Sequence, residues 1–164
     1  MQLPYRKPGK YQNQTTDPLI TSEKFDALTK DLARLKQKRP KAAEEVSRLA
    51  ELGDFSENVE YQQAKGRLRG INERILRTEY QLNHSTLITL KQTGKVEIGN
   101  TVLVEINGKE KKMTILGSSE TDPAKGIISH SSPIGSALLG KKVGDSVEIL
   151  VNGSTRTYKI SDVK

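Results

Sequence analysis

A short acidic stretch near the middle of this 164-residue chain holds the residues best suited to chemistry. Residues 52–61 read LGDFSENVEY, which places Asp54, Glu57 and Glu60 at intervals of three residues. Asp54 and Glu57 have the spacing of a capping box, in which an N-cap carboxylate and an acid three positions later satisfy amides at a helix start. The alternative interpretation is an exposed acidic tip that acts on a partner. The spacing alone leaves both interpretations open.

Charge is unevenly distributed along the chain. The formal net charge is +7, yet residues 44–60 hold six acidic residues and one arginine, a net charge of −5, so the remaining residues carry +12. Capping would be sufficient to explain Asp54 and Glu57. It does not explain Glu44, Glu45 and Glu51, because acids are disfavoured near the negative C-terminal end of a helix. The acidic segment therefore contains more charge than capping requires.

Two apolar patterns flank the acidic stretch and predict a helical hairpin. Apolar residues recur at alternating steps of three and four, with Arg39 and Thr78 as the polar members. The first seam is Phe25, Leu28, Leu32, Leu35, Arg39, Ala42, Val46 and Leu49, and the second is Tyr61, Ala64, Leu68, Ile71, Ile75, Thr78 and Leu82. Thr21 is the predicted N-cap of the first helix, and Pro40 is predicted to kink it. Because the connection near residues 53–56 is short, the helices must fold back antiparallel.

Basic residues cluster on the shaft of this hairpin. They are Lys36, Lys38, Arg39 and Lys41 in the first helix and Arg67, Arg69, Arg74 and Arg77 in the second. A solvated coiled-coil face and a nucleic-acid contact both explain such a cluster, and the pattern does not decide between them. Gly66 and Gly70 interrupt the second helix, where each costs about 1 kcal/mol relative to alanine. The sequence offers no reason for them.

After Ser85 the pattern changes to short alternating runs. The runs TVLVEI and KKMTILG flank Asn107-Gly108, and SVEILV and STRTYKI flank Asn152-Gly153, which predicts two β-hairpins. The segment PIGSALLG predicts one short helix. The predicted fold class is α+β, with an antiparallel α-helical coiled-coil hairpin over residues 18–85 and a small antiparallel β-sheet domain over residues 86–164. Residues 1–17 are predicted to form a basic, disordered arm.

Composition excludes several classes of function. The chain has no cysteine, which excludes a disulfide framework and a thiolate metal site. Its two histidines, His84 and His130, are far apart in sequence and offer no zinc constellation. No stretch resembles a secretory signal or a membrane span, so we expect a cytoplasmic protein without membrane contact. The positive net charge favours polyanionic partners such as nucleic acid.

The stretch GDFSENVEY resembles the tip motif of the bacterial Gre transcript cleavage factors, Gly-Asp-hydrophobic-x-Glu-Asn-x-Glu-Tyr. Its fixed positions are filled by Gly53, Asp54, Phe55, Glu57, Asn58, Glu60 and Tyr61. The helix opening LITSEKFDALTKDLARLKQKRP and the C-terminal stretch SSPIGSALLGKKVGD resemble the same family. The resemblance covers about residues 18–164.

This resemblance implies a transcription elongation factor whose hairpin enters the secondary channel of bacterial RNA polymerase. Its C-terminal domain would have the FKBP-like fold and hold the channel rim. Asp54 and Glu57 would help the polymerase bind a second Mg²⁺, which the free protein does not bind, for cleavage of backtracked RNA near its 3′ end. The protein would be an accessory factor and not an enzyme, with no small-molecule substrate. The residues supporting the tip would be Phe55, Asn58, Glu60 and Tyr61.

The resemblance also assigns two sets of contact residues. The RNA-binding set is Lys38, Arg39, Lys41, Arg67, Arg69 and Arg74. The polymerase-binding set is Ser132, Pro133, Ile134, Leu138 and Leu139. The stretch RLRGINERI resembles the more basic branch of the family, in which the shaft tracks extruded RNA, although Gly66 and Gly70 depart from that branch's pattern.

Three other functions compete with this one. A non-cleaving relative that only occupies the polymerase channel would have an altered tip, whereas Asp54 and Glu57 are intact here. A prolyl isomerase of the FKBP-like fold lines its pocket with aromatic residues, whereas residues 86–164 contain no Phe or Trp and a single Tyr, Tyr158. A plain nucleic-acid-binding coiled coil would bind RNA without polymerase, and that binding would weaken with salt.

Overall fold

The computed structural model describes residues 17–52, 59–90, 93–151 and 153–164. Predictions that concern residues 1–16 and the tip residues 53–58 lie outside these ranges and stay predictions. The described chain divides into two compact units. One unit holds Asp26–His84, and the other holds Asp17–Phe25 together with Ser85–Lys164. Residues 17–21, which immediately precede the first helix, therefore belong to the same unit as the C-terminal residues.

The first unit contains the predicted helical hairpin except for the first turn of its first helix. Helix α1 spans Ser22–Glu51 and continues through Pro40, and helix α2 spans Val59–Asn83. Thr21 caps α1 as predicted, because its Oγ1 accepts a hydrogen bond from the amide of Lys24 at 3.2 Å. Within the described ranges, neither helix combines the length and apolar character needed to cross a membrane.

Ion pairs between the helices show that they run antiparallel. Glu45 and Arg67, which are both close to the connection in sequence, lie 2.8 Å apart. Lys36 and Glu79, which are both farther from it, lie 2.7 Å apart. Each of these side chains is more than a third exposed, so each pair contributes at most about 1 kcal/mol. The pairs report the direction of the helices and do not hold them together.

The two predicted seams hold the hairpin together. Every apolar member of both seams is buried or half-buried, while Arg39 is exposed. The most deeply buried are Leu35, Leu49, Ala64 and Ile75. Burying a large aliphatic side chain contributes about 1.5–3 kcal/mol, which exceeds any single surface ion pair. The polar member Thr78 is also buried, and its hydroxyl donates to the carbonyl of Arg74 at 2.8 Å, so its polar group is satisfied.

The second unit is built on a five-stranded sheet and one short helix, which completes the predicted α+β class. The strands are β3 (Thr101–Ile106), β4 (Lys109–Leu116), β5 (Ile127–Ser129), β6 (Ser146–Val151) and β7 (Ser154–Val163), in the spatial order β5-β4-β3-β7-β6. Helix α3 spans Pro133–Leu138. The buried core of this second unit includes Val102, Ile115, Leu138, Tyr158 and Ile160.

Both predicted hairpins are present. In the first, Ile106 pairs with Lys109, and the turn residues Asn107 and Gly108 have φ angles of 51° and 75°. Positive φ at both positions is the requirement of a type I′ turn, which Asn-Gly meets well. In the second, Val151 pairs with Ser154.

The prediction of a wholly antiparallel sheet was wrong at one edge. Strand β5 pairs with β4 in parallel, with Thr114 opposite Ile127. Between the two strands the chain passes through two short 3-10 helices, Ser118–Glu120 and Pro123–Lys125. This longer connection brings β5 back in the same direction as β4, which a tight turn does not allow.

The residues just before α1 are tied into this second unit. Strand β1, Leu19–Ile20, pairs in parallel with β2, Thr86–Leu87. The backbone amide and the hydroxyl of Thr21 donate to the two carboxylate oxygens of Glu120 at 2.8 and 2.6 Å. A Cβ at Gly117 would collide with the carbonyl oxygen of Leu19, so a glycine is needed where this segment crosses.

Asp17 was predicted to end a disordered arm, but its carboxylate anchors this segment. The side chain is only 12% exposed. It accepts hydrogen bonds from the amides of Leu19 at 3.0 Å and Ser118 at 2.7 Å, and its Oδ2 lies 2.8 Å from Nε2 of His130. Burial raises the pKa of Asp17, but the hydrogen bonds from Ser118, Leu19 and His130 outweigh it, so the net pKa lies below 3.8.

We expect Asp17→Asn to lower the free energy of unfolding by about 1–3 kcal/mol at pH 7, because amide and imidazole donors would lose a charged acceptor. A carboxyl whose folded pKa is lowered stabilises the fold above its ordinary pKa, and that stabilisation is lost as the pH falls through its folded pKa. The difference between the two proteins should therefore shrink below pH 3.8. Urea unfolding at a series of pH values measures it. A difference that stays constant down to strongly acidic pH would contradict the assignment.

Candidate functional site

The described residues beside the predicted acidic tip lie in the first turn of α2. Glu60 is exposed, and Tyr61 is half-buried with the Nζ of Lys65 5.6 Å from its ring centroid. An acid in the first turn is stabilised by the positive end of the helix. The other tip residues, Asp54, Phe55, Glu57 and Asn58, fall outside the described ranges. In the chain they lie in the segment that links Glu51 at the end of α1 to Val59 at the start of α2.

One face of the hairpin carries a strongly cationic groove of about 560 Å³, which we call the Gly70 groove. Its basic residues come from both helices and are Arg34, Lys38, Arg67, Arg74 and Arg77. Glu73 is the single acid in its wall, and Leu35, Gly70 and Ile71 complete the lining. Five basic residues against one acid give the lining of this groove an excess of positive charge.

Acids outside the lining hold three of these cations in place. Arg67 pairs with Glu45 at 2.8 Å, Arg74 pairs with Asp31 at 3.0 Å, and Arg34 also bonds to Asp31. The Arg34 guanidinium, with a further contribution from Arg74, holds the pKa of Asp31 below its ordinary value, so this carboxylate is ionised at neutral pH. Lys38 has no acid within ion-pair distance in the parts of α1 and α2 that the structure describes.

The opposite face carries a groove of about 770 Å³, which we call the Pro40 groove. Its only basic lining residues are Lys36 and Arg39, and Lys36 is paired with Glu79, which also lines the groove. Both linings therefore hold more basic than acidic residues, and the excess is larger in the Gly70 groove. Sequence reasoning could not distinguish them, because it treated all shaft cations as one cluster.

The structure divides the predicted RNA-binding set. Lys38, Arg67 and Arg74 line the Gly70 groove, while Arg39 lines the Pro40 groove. Lys41 and Arg69 line neither groove. Arg34 and Arg77 were not in the predicted set, although they stand four residues before Lys38 and three residues after Arg74, the spacings that share a helix face.

The second unit carries an apolar groove of about 370 Å³ at the start of α3. Its lining includes Ile128, Pro133, Ile134 and Leu150, and the side chain of Leu150 is 69% exposed. Ser132 also lines it and caps α3, because its Oγ accepts from the amide of Gly135 at 3.0 Å. The same hydroxyl donates to the carbonyl of Ser129 at 2.7 Å, which fixes the start of α3 to the end of β5.

The predicted polymerase-binding set is also divided. Ser132, Pro133 and Ile134 line this apolar groove, whereas Leu139 lines a separate groove with Leu19 and Leu87. Leu138 has no exposed surface and belongs to the core of the sheet unit. Leu138 therefore packs α3 against the core. The prediction that this side chain contacts the polymerase is corrected, because the side chain is not on the surface.

Two family models match the chain. The model described as "Transcription elongation factor, N-terminal" matches residues 18–87, and "Transcription elongation factor, GreA/GreB, C-term" matches residues 91–164. Together they span both units. The chain belongs to the GreA/GreB family of transcription elongation factors.

Individual relatives are similar in sequence to this protein over most of the chain. Transcription elongation factor GreA of Nautilia profundicola is 38% identical over 149 residues, covering 88% of this chain and 92% of that protein. GreA of Macrococcus caseolyticus is 40% identical over 149 residues, covering 88% and 94%. Among solved structures, GreA factor homolog 1 (Gfh1) of Thermus thermophilus matches with a TM-score of 0.42 and 23% identity, covering 90% of this chain and 99% of that one.

In this GreA/GreB family member, Gly135 determines how closely α3 approaches β5. A Cβ at Gly135 would collide with the backbone carbonyl of Ser129. We expect Gly135→Ala to lower the free energy of unfolding by about 1–3 kcal/mol, the usual cost of forcing an extra carbon into a packed site. The midpoint of urea unfolding measures this loss. Ser136→Ala, at an exposed position of the same helix, is the control and should change it by less than about 0.5 kcal/mol. Equal midpoints for the two variants would contradict the close approach.

Proposed function

We propose that this protein is an accessory factor that makes bacterial RNA polymerase cleave backtracked RNA. The hairpin enters the secondary channel of the polymerase, and residues 53–60 reach its active site. The observation that carries this proposal is the motif GDFSENVEY, which lies in the chain between α1 and α2 of a GreA/GreB family member. Cleavage rescues arrested complexes because it creates a new RNA 3′ end in the active site.

The chemistry of the tip residues fits Mg²⁺. This ion takes oxygen ligands and is commonly held by one or two carboxylates together with phosphate oxygens. Asp54 and Glu57 would therefore share the ion with the polymerase and RNA, and the free protein would bind none. When bound there, Mg²⁺ supplies the positive charge that phosphodiester hydrolysis needs. The two carboxylates bind and orient it, while the nuclease remains the polymerase.

The two described surfaces suit the two partners. The cations of the Gly70 groove, Lys38 above all, contact phosphates of the nascent RNA that backtracking extrudes near its 3′ end. The apolar groove beside Pro133 and Ile134 contacts the polymerase at the rim of the channel, with Leu150 adding exposed apolar surface. Such a protein works in the cytoplasm, where bacterial transcription takes place.

The alternative is a factor that occupies the same channel without causing cleavage. The two functions share the fold and the polymerase contact and differ only in what the tip carboxylates do. A cleavage assay on a stalled, backtracked complex separates them. Isomerase activity has less support, because residues 86–164 contain no Phe or Trp and their single Tyr, Tyr158, is buried in the core.

We expect Asp54→Asn to reduce stimulated cleavage by at least about tenfold, because an amide is a poorer Mg²⁺ ligand than a carboxylate. Asparagine is about as good an N-cap as aspartate, so folding should be preserved. The measurement is the rate of transcript shortening in a stalled complex, and circular dichroism checks the helix content. If the variant cuts as fast as the parent, the acids are structural. A parent that binds the complex but cuts nothing would favour the non-cleaving alternative.

Lys38 and Arg39 provide a matched test of the RNA contact, because they are adjacent cations that line opposite grooves. Lys38→Ala should weaken binding to a complex with a long backtracked RNA and reduce the slope of log affinity against log salt by about 1, the loss of one phosphate contact. Arg39→Ala should leave the slope unchanged. Titrations at several salt concentrations measure both variants. Equal slopes for the two variants would count against RNA contact in the Gly70 groove. So would a Lys38→Ala variant whose binding is weakened equally for complexes with long and with short backtracked RNA.

A further inference from the structure

The two edges of the five-stranded sheet differ in how they are protected. At one edge, β5 has only three residues, and Asp122 covers it by exchanging backbone hydrogen bonds of 3.0 and 2.9 Å with Ile127. At the other edge, β6 has six residues and, among the described strands, pairs with β7 alone. Native sheets usually protect such an edge with proline, lysine or a covering segment, and β6 contains neither of these residues.

The open edge of β6 presents the backbone groups of Glu148 and Leu150. Ile160 of β7 exchanges two backbone hydrogen bonds of 2.8 Å with the residues just before β6. Bonded pairs alternate along an antiparallel ladder, so Val147 and Ile149 are the next residues that bond to β7. The amides and carbonyls of Glu148 and Leu150 therefore point away from β7. Within the described ranges, no other backbone segment bonds to them.

The side chains of β6 also alternate between core and surface. Val147 and Ile149 are buried in the core, whereas Glu148 and Leu150 are exposed, Leu150 to 69%. An unpaired edge with an exposed leucine offers both a hydrogen-bonding ladder and apolar surface. The ligand that matches such an edge is another extended strand.

We propose that two copies of this protein associate through β6, with the strands antiparallel and Ile149 of each copy opposite Ile149 of the other. In this register, Glu148 of each copy lies opposite the second copy's Leu150, and each such pair exchanges two hydrogen bonds. The four outward-facing residues of the two strands are then satisfied. The contact uses the same surface in both copies, so it closes as a dimer and does not extend into a fibre.

Charge and strand length select this register over its neighbours. A pairing centred on Glu148 would place two carboxylates directly opposite each other, which is unfavourable. A pairing centred on Leu150 would bring Glu148 opposite the turn after Val151, where β6 has ended. A pairing centred between two residues would place core-facing side chains opposite exposed ones.

The contact has a consequence for the apolar groove at the start of α3. Leu150 lines that groove, so a paired copy presents less of it to any other partner. Because a single pair of strands buries little surface, the association belongs to the weak and reversible class. Sedimentation equilibrium of the purified full-length protein measures it, and the average mass should rise with concentration from that of one chain toward that of two.

Leu150→Lys and Leu150→Glu are matched variants that test the register. Both remove the same exposed leucine, but the first places a positive charge opposite the second copy's Glu148 and the second places a negative charge there. This contrast occurs twice in each dimer, so the dissociation constant should be about tenfold higher for Leu150→Glu. The formal net charge of +7 becomes +8 in the lysine variant and +6 in the glutamate variant. General charge repulsion would therefore produce the opposite order.

A protein that stays monomeric at every concentration would overturn the inference. Equal dissociation constants for the two variants, or weaker association of Leu150→Lys, would also overturn it. Circular dichroism and urea unfolding check that both variants are folded, since exposed substitutions usually change stability by less than about 0.5 kcal/mol.

Disulfide trapping locates the contact independently. The chain has no cysteine, so Glu148→Cys and Leu150→Cys each carry a single thiol. Mild oxidation of an equimolar mixture with diamide should link one variant to the other, because opposite residues of a ladder lie within disulfide reach. Either variant oxidised alone should give several-fold less linked dimer. Equal yields from the mixture and from the single variants would contradict the register.

Discussion

The apolar seam between α1 and α2 is the interaction on which the hairpin depends. Each buried aliphatic side chain, such as Leu35 or Ile75, contributes more than an exposed ion pair, so the seam decides how each helix is rotated about its own axis. That rotation places the adjacent residues Lys38 and Arg39 in opposite grooves. The seam therefore separates a more cationic face from a less cationic one without any additional structural element.

The sheet unit anchors the chain immediately before and after the hairpin. Strand β1 precedes α1 and strand β2 follows α2, and the two strands pair in parallel. Asp17 and Thr21 add hydrogen bonds to Ser118 and Glu120, which lie about a hundred residues later in the chain. These hydrogen bonds hold the residues at the start of α1 against the segment Ser118–Glu120.

Sequence periodicity predicted the helices and strands well, and the contacts between distant parts of the chain less well. The seams, the Thr21 cap and both Asn-Gly hairpins follow local rules, and the structure has each of them. The parallel pairing of β5 and the anchoring of Asp17 depend on contacts between distant parts of the chain, which no local pattern reveals. Leu138 was misassigned for the same reason, since its burial depends on the sheet beneath α3. The division of the basic residues between two grooves depends on how each helix is rotated, which a count of basic residues along the sequence cannot show.

The bare backbone at Gly70 has a consequence for how this protein evolves. A Cβ added there would meet nothing within 4 Å, so a single base change to alanine can make the helix more rigid without any rearrangement. Selection for heat resistance alone would therefore drive this position away from glycine.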